Sequence, residues 1–122
     1  AMALEDARQL TETRVFIRGN ASNPGEVAPR QFLAALTRGE RQPFQQGSGR
    51  LELARAIASA DNPLTARVLV NQVWTRHFGA SLVPNGDDLG LRCAAPLHQD
   101  ILDSLTVDFM ASGWSLKHLH RA

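Results

Sequence analysis

Four histidines, one cysteine and a glycine-rich turn ending in arginine are the groups in this sequence best suited to chemistry. Imidazoles hold transition metals when several converge, and on one helix a spacing of four residues brings two together. His77, His98, His118 and His120 do not show that spacing, and His118 and His120 point to different sides of a helix. No metal site is therefore expected. Gly47-Ser48-Gly49-Arg50 precedes a helical pattern. Backbone N–H groups, the helix dipole and a guanidinium there could cradle an anion. The Lys-Ser/Thr pair of a P-loop does not follow, so Ser48, Gly49 and Arg50 form a candidate anion site whose simpler role is a flexible helix entry. Asp87-Asp88 lacks the spacing of a calcium loop, and Asp88-Leu89-Gly90 resembles a kinase metal triplet only superficially. A turn with one carboxylate facing inward is the expectation. Cys93 has only Arg92 as a cationic neighbour and reads as a structural thiol. No Ser-His-Asp grouping can be assembled from the sequence, so catalytic residues stay unassigned.

A different kind of signal lies in the most apolar helical stretch. Leu64, Arg67, Asn71, Trp74 and Phe78 are three and four apart, which places Arg67 and Asn71 on the stripe that carries the largest apolar groups. An inward Arg requires a carboxylate or several carbonyls, and an inward Asn usually fastens backbone. Asp88, first, and Glu52, second, are the expected partners of Arg67. Arg67, Asn71 and Asp88 are thus expected to form a structural polar core, with the floor of a binding pocket as the functional alternative.

The elements that position these residues follow from periodicity and punctuation. Ala3 to Leu10 is weakly helical. Thr13 to Arg18 has the β-branched and aromatic character of a short strand, for which Ser81-Leu82-Val83 is the best partner in view. Gly19 to Pro29 reads as an ordered loop and Arg30 to Thr37 as a short helix. From Ser48 to Ser59 a helix is predicted, capped by Ser48 or Gly49. Asn62-Pro63 starts the central helix and Gly79 stops it. Leu97 to Ser112 is amphipathic and ends at Gly113-Trp114, and Ser115 caps a last helix. The expected fold is mainly α: a small domain of about four to five helices with one short N-terminal strand and long ordered loops. Val70, Trp74, Phe78, Leu105 and Phe109 should share its core.

Composition bounds the function. In 122 residues there is room for a single domain of ordinary size. Apolar residues at 43% and charged residues at 20% disfavour disorder and coiled coil. A net charge of +1 supplies no bulk field for nucleic acid or an anionic membrane, and no apolar run approaches the roughly 18 residues of a membrane span. The helices flanking Ser59-Ala60-Asp61-Asn62 are arranged like a helix-turn-helix, but the second is too apolar to present a basic reading face.

Taken together, several motifs resemble one family. They are Arg18-Gly19-Asn20 with Pro24-Gly25; Gly47-Ser48-Gly49-Arg50-Leu51-Glu52-Leu53-Ala54; Asn62-Pro63-Leu64-Thr65-Ala66-Arg67-Val68; Asn71, Trp74 and His77-Phe78-Gly79; Asp88-Leu89-Gly90; and Gly113-Trp114-Ser115-Leu116-Lys117. The sequence resembles the C-terminal domain of unknown function of planctomycete-type cytochrome c multidomain proteins, the PSD-one family. The resemblance spans residues 13–122, with 1–12 as a lead-in, and it implies that the chain is a fragment of a larger C-terminal family domain. It also implies an exported, cell-envelope setting and, in some relatives, a haem c elsewhere in the parent protein. This chain has one cysteine and no Cys-x-x-Cys-His, so no cofactor is expected within it.

Three readings of function follow. The first is a structural or interaction module whose partners are other domains of the parent, or a second copy. The second is part of a hydrolytic or redox active site completed by other domains. The third, a nucleic-acid-binding helix-turn-helix, lacks the basic surface it needs.

Overall fold

Asn and Pro at adjacent positions, an apolar stripe and a closing Gly are enough to define one long helix, and the computed structural model has it from Pro63 to Phe78. The structure describes residues 5–86, 88–90 and 93–122. Asp87 and Arg92, and the first residues of the Ala3 to Leu10 expectation, lie outside them. Among the described residues the order is β1 (Arg14–Phe16), β2 (Pro24–Val27), α1 (Arg50–Ile57), α2 (Pro63–Phe78), α3 (Gln99–Ala111) and α4 (Leu116–Leu119). Short 3-10 turns occupy Ile17–Gly19 and Ala34–Leu36. The fold is mainly helical, as periodicity and helix punctuation predict. Two compact units divide the chain, Ala1–Asp61 and Asn62–Ala122.

In the first unit β1 is not a lone strand. It pairs antiparallel with β2, with Arg14 opposite Val27 and Phe16 opposite Pro24 across an irregular register. The Asn23-Pro24-Gly25 stretch reads as a loop because Pro and Gly break strands. Here Pro24 begins its strand, where a missing N–H is tolerated. At Gly25 a Cβ would lie 3.0 Å from the Val15 carbonyl oxygen, so any larger residue would push the two strands apart by a few tenths of an ångström. Residues 5–10 form no helix, since so short a pattern cannot nucleate on propensity alone. The helix expected from Arg30 to Thr37 shrinks to the 3-10 turn because its first residues are spent on cross-links. Gln31 bridges Pro43, and the Phe44 N–H donates to the Arg30 carbonyl at 2.7 Å.

The second unit contains every buried apolar residue among those described: Ala66, Val70, Leu82, Val83, Leu102, Phe109 and Leu119. Asn62 caps α2 by accepting from the Leu64 N–H at 3.1 Å, and Gly79 ends it at φ 75°. Helix α3 terminates in a Schellman motif. The Gly113 N–H donates to Met110 and the Trp114 N–H to Phe109, at 3.1 and 3.0 Å. Trp114 itself adopts φ 61°, a costly conformation for a bulky residue, and its indole packs edge-on against Phe109 with centroids 5.4 Å apart. Ser115 then caps α4 through its hydroxyl, which accepts from the His118 N–H.

One core assignment needs correction. Val70 and Phe109 are buried, and Trp74 and Leu105 pack half-buried against them. Phe78 is 66% exposed. It stands in the last turn of α2 and stacks on Trp74, with ring centroids 4.2 Å apart. Periodicity identifies the face of a helix but not where along it the neighbours stop. Phe109→Ala should therefore lower stability by about 3 to 5 kcal/mol. Phe78→Ala, which removes only an aromatic contact, should cost about 1 kcal/mol or less. Denaturation midpoints of the two variants check the contrast.

Candidate functional site

Asn71 is 1% exposed and sits in the middle of α2. Its side-chain oxygen accepts the Val83 N–H at 3.1 Å, and its backbone carbonyl accepts the Thr75 hydroxyl at 2.7 Å. A Cβ at Gly86 would lie 3.1 Å from the Asn71 side-chain nitrogen, so the chain after Val83 passes close to the amide. The carboxamide thus ties the loop after α2 back onto the helix and places Leu82 and Val83 in the core.

Arg67 lies one turn earlier and pairs with Asp103 of α3, with Nε and NH2 at 2.8 and 2.7 Å from the same carboxylate oxygen. Its NH1 donates to the Pro63 carbonyl at 2.9 Å. The expected partners are otherwise engaged. Asp88 accepts the Gly90 N–H at 2.9 Å in its own turn, and Glu52 accepts from Gln45 and Gln46. The Arg67 and Asp103 side chains remain 33% and 38% exposed, so the pair sits at the edge of the core rather than within it. Helix spacing points Arg67 toward a neighbour, but only the packing of α3 along α2 decides which carboxylate it meets. Beside the pair a cavity of about 200 Å³ is lined by Leu64, Leu89, Cys93 and Pro96. Cys93 packs against the core there.

A second concavity of this unit, about 320 Å³, is an apolar groove walled by Val73, Trp74, Phe78 and Leu105. Two histidines that sequence spacing separates meet at its rim. His77 Nε2 is 2.7 Å from His120 Nδ1, with the rings at 70°. The 43-residue gap hides this pair, because α4 must fold back toward the end of α2 to create it. His118 instead pairs with Asp108, at 2.7 Å. His98 stands at the N-cap of α3 without a side-chain capping bond. No group of three or more metal-ligating side chains occurs among the described residues.

In the N-terminal unit the candidate anion position at Ser48, Gly49 and Arg50 faces a carboxylate of the chain itself. Asp6 accepts the Ser48 N–H at 2.8 Å and the Arg50 guanidinium at 2.9 Å. The Ser48 hydroxyl is buried and, among the described residues, falls short of hydrogen-bond geometry to any group; its dipole, the Ser48 N–H and Arg50 hold the Asp6 carboxyl below the usual range. Gly49 caps α1 at φ 77°, where a Cβ would come within 2.8 Å of the Phe44 ring. Glu52, in the first turn of α1, accepts the Gln45 and Gln46 N–H groups at 3.0 and 2.8 Å. These two bonds lower its carboxyl as well.

Asn71→Leu keeps the branched shape but leaves the buried Val83 N–H without its acceptor and adds bulk, and should cost about 1 to 3 kcal/mol. Arg67→Ala, which breaks a half-exposed pair, should cost about 1 kcal/mol or less. Chemical denaturation of both checks the order. The lowered Glu52 carboxyl contributes stability that is full above the pKa of the unfolded chain and is lost as pH falls through the lower folded value. Hydrogen exchange of the Gln45 and Gln46 amides, corrected for intrinsic rates, should lose protection across that acid range. In Glu52→Gln protection should be lower at neutral pH and nearly independent of pH.

Comparison with known proteins returned one finding. No curated protein and no solved structure matched. A family model described as PSD1, protein of unknown function (DUF1553), matches residues 49–122, a span that begins at the cap of α1 and takes in α2, α3 and α4. This chain belongs to the DUF1553 family.

Proposed function

We propose that this chain is a structural or interaction module of a larger multidomain protein, and that its N-terminal hairpin is a surface covered by another part of that protein. The observation that carries this reading is the hairpin's apolar exposure. Val15 is 58% exposed, and Phe16, Ile17 and Val27 are each close to half exposed. Leu51, Leu53 and Ile57 of α1 are exposed as well. Isolated surface leucines are ordinary, but exposure of three successive apolar residues, Val15, Phe16 and Ile17, and of Val27 across the ribbon fits a surface that another segment covers. Two strands alone are at best marginally stable in water, so a partner would also stabilise the ribbon.

The family resemblance supports an exported, cell-envelope setting and a parent that carries haem c in another domain. With a single cysteine, this chain lacks the Cys-x-x-Cys-His motif, so the haem is proposed to be held elsewhere in the parent. Among the described residues no helix is long and apolar enough to cross a membrane. Contacts are thus proposed with other domains of the parent; in their absence a second copy could cover the hairpin.

A photo-crosslinking amino acid at Ile17 of the intact parent protein tests this. It should give an intramolecular crosslink to a segment outside this chain in much higher yield than the same probe at Gln72, an exposed position of α2 outside the hairpin. Equal yields at the two positions would overturn the reading. In the isolated chain, self-association seen by light scattering should weaken in the Val15→Ser, Ile17→Ser double variant.

A further inference from the structure

We infer that His77 and His120 form a two-histidine clamp for a borderline divalent transition-metal ion, of the zinc and copper class, at the rim of the Trp74 and Phe78 groove. The inference is independent of the module reading above. Nε2 of His77 and Nδ1 of His120 approach to 2.7 Å. At that distance one nitrogen carries the proton and the other offers its lone pair. When the donor ring changes tautomer and carries its proton on the nitrogen that faces away, two lone pairs converge on the same small volume, and a cation can take the proton's place between two neutral imidazoles. Tetrahedral coordination with bonds of about 2.0 to 2.1 Å sets the two nitrogens about 3.3 Å apart. The rings must therefore open by roughly 0.6 Å from their present 2.7 Å.

The surroundings permit that movement while keeping the ligands together. His77 is in the last turn of α2 and is backed by the ring of Phe78, 6.3 Å away. His120 follows α4 directly and is exposed, so its side chain has room to turn. Its neighbour Leu119 is buried in the core, which holds the backbone of His120 close to α2. The other histidine of α4, His118, is engaged with Asp108. Neutral imidazole donors select zinc, copper or nickel over magnesium and calcium, which prefer oxygen. Two protein ligands leave positions for water or an outside donor, so the site is an exchangeable one rather than a closed structural centre. Protons and metal compete for the same lone pairs, so binding weakens with acid.

Titration of the chain with Zn²⁺ alone, followed by calorimetry at neutral pH, tests the clamp. Cu²⁺ quenching of tryptophan fluorescence gives a second readout, since Trp74 lines the same groove. The expected result is one ion per chain, weakened roughly tenfold or more by either His77→Gln or His120→Gln and by a shift to about pH 5. His98→Gln should leave binding unchanged. Circular dichroism and the thermal midpoint in the absence of metal establish that the variants are folded. Absence of saturable uptake at millimolar ion, or uptake unchanged in the folded His77→Gln, His120→Gln double variant, would overturn the proposal.

Discussion

Burial of Val70, Leu102 and Phe109 between α2 and α3 is the contact on which the remaining architecture rests. Each side chain is about 1% exposed, and together they fix the two long helices side by side. Everything polar in this unit answers to that packing. Asn71 enters the same interior because its carboxamide can satisfy the Val83 N–H, which brings the loop after α2 under the helix. Arg67 reaches Asp103 only because α3 lies where the apolar contact puts it. The Schellman turn after α3 reverses the chain so that α4 can lay Leu119 onto the core and His120 beside His77.

The N-terminal unit follows a different logic. Its order among the described residues comes from local hydrogen bonds and carboxylate contacts rather than from buried apolar volume. Near the start of α1, Asp6 holds the Ser48 N–H and the Arg50 guanidinium, Glu52 holds the Gln45 and Gln46 N–H groups, and the hairpin is held by its ladder. Such contacts define shape but contribute little net stability in water. A surface of this kind becomes firm when something covers its apolar side chains, and this links the composition of the hairpin to the proposed role as a module.

The helical fold was legible wherever chemistry is local. Asn62-Pro63 and Gly79 bound α2 as their preferences dictate, and Gly113-Trp114 ends α3 with the expected cap and contact. What escaped the sequence was long-range pairing. Pro24 and Gly25 conceal a strand that exists because β1 is available to pair with it. Asp88 looked like the partner of Arg67 because it follows soon in sequence, whereas the true partner lies on a helix whose placement depends on the core. The two histidines at the groove rim give no spacing signal for the same reason. Phe78 satisfies the helical period yet extends past the end of its neighbours. The DUF1553 match identifies the family without assigning a reaction, so function was read from surfaces rather than from a motif.

Native-state hydrogen exchange on the isolated chain tests the central claim most directly, because it resolves where stability resides. Amides of α2 and α3, together with the Val83 N–H held by Asn71, should open only with global unfolding. The hairpin amides of Ile17 and Ala28, which bond Asn23 and Thr13, should exchange through cheap local opening. Protection of the hairpin equal to that of α2 and α3 in a monomeric sample would contradict that claim, because the N-terminal unit would then be stable without anything covering its apolar side chains.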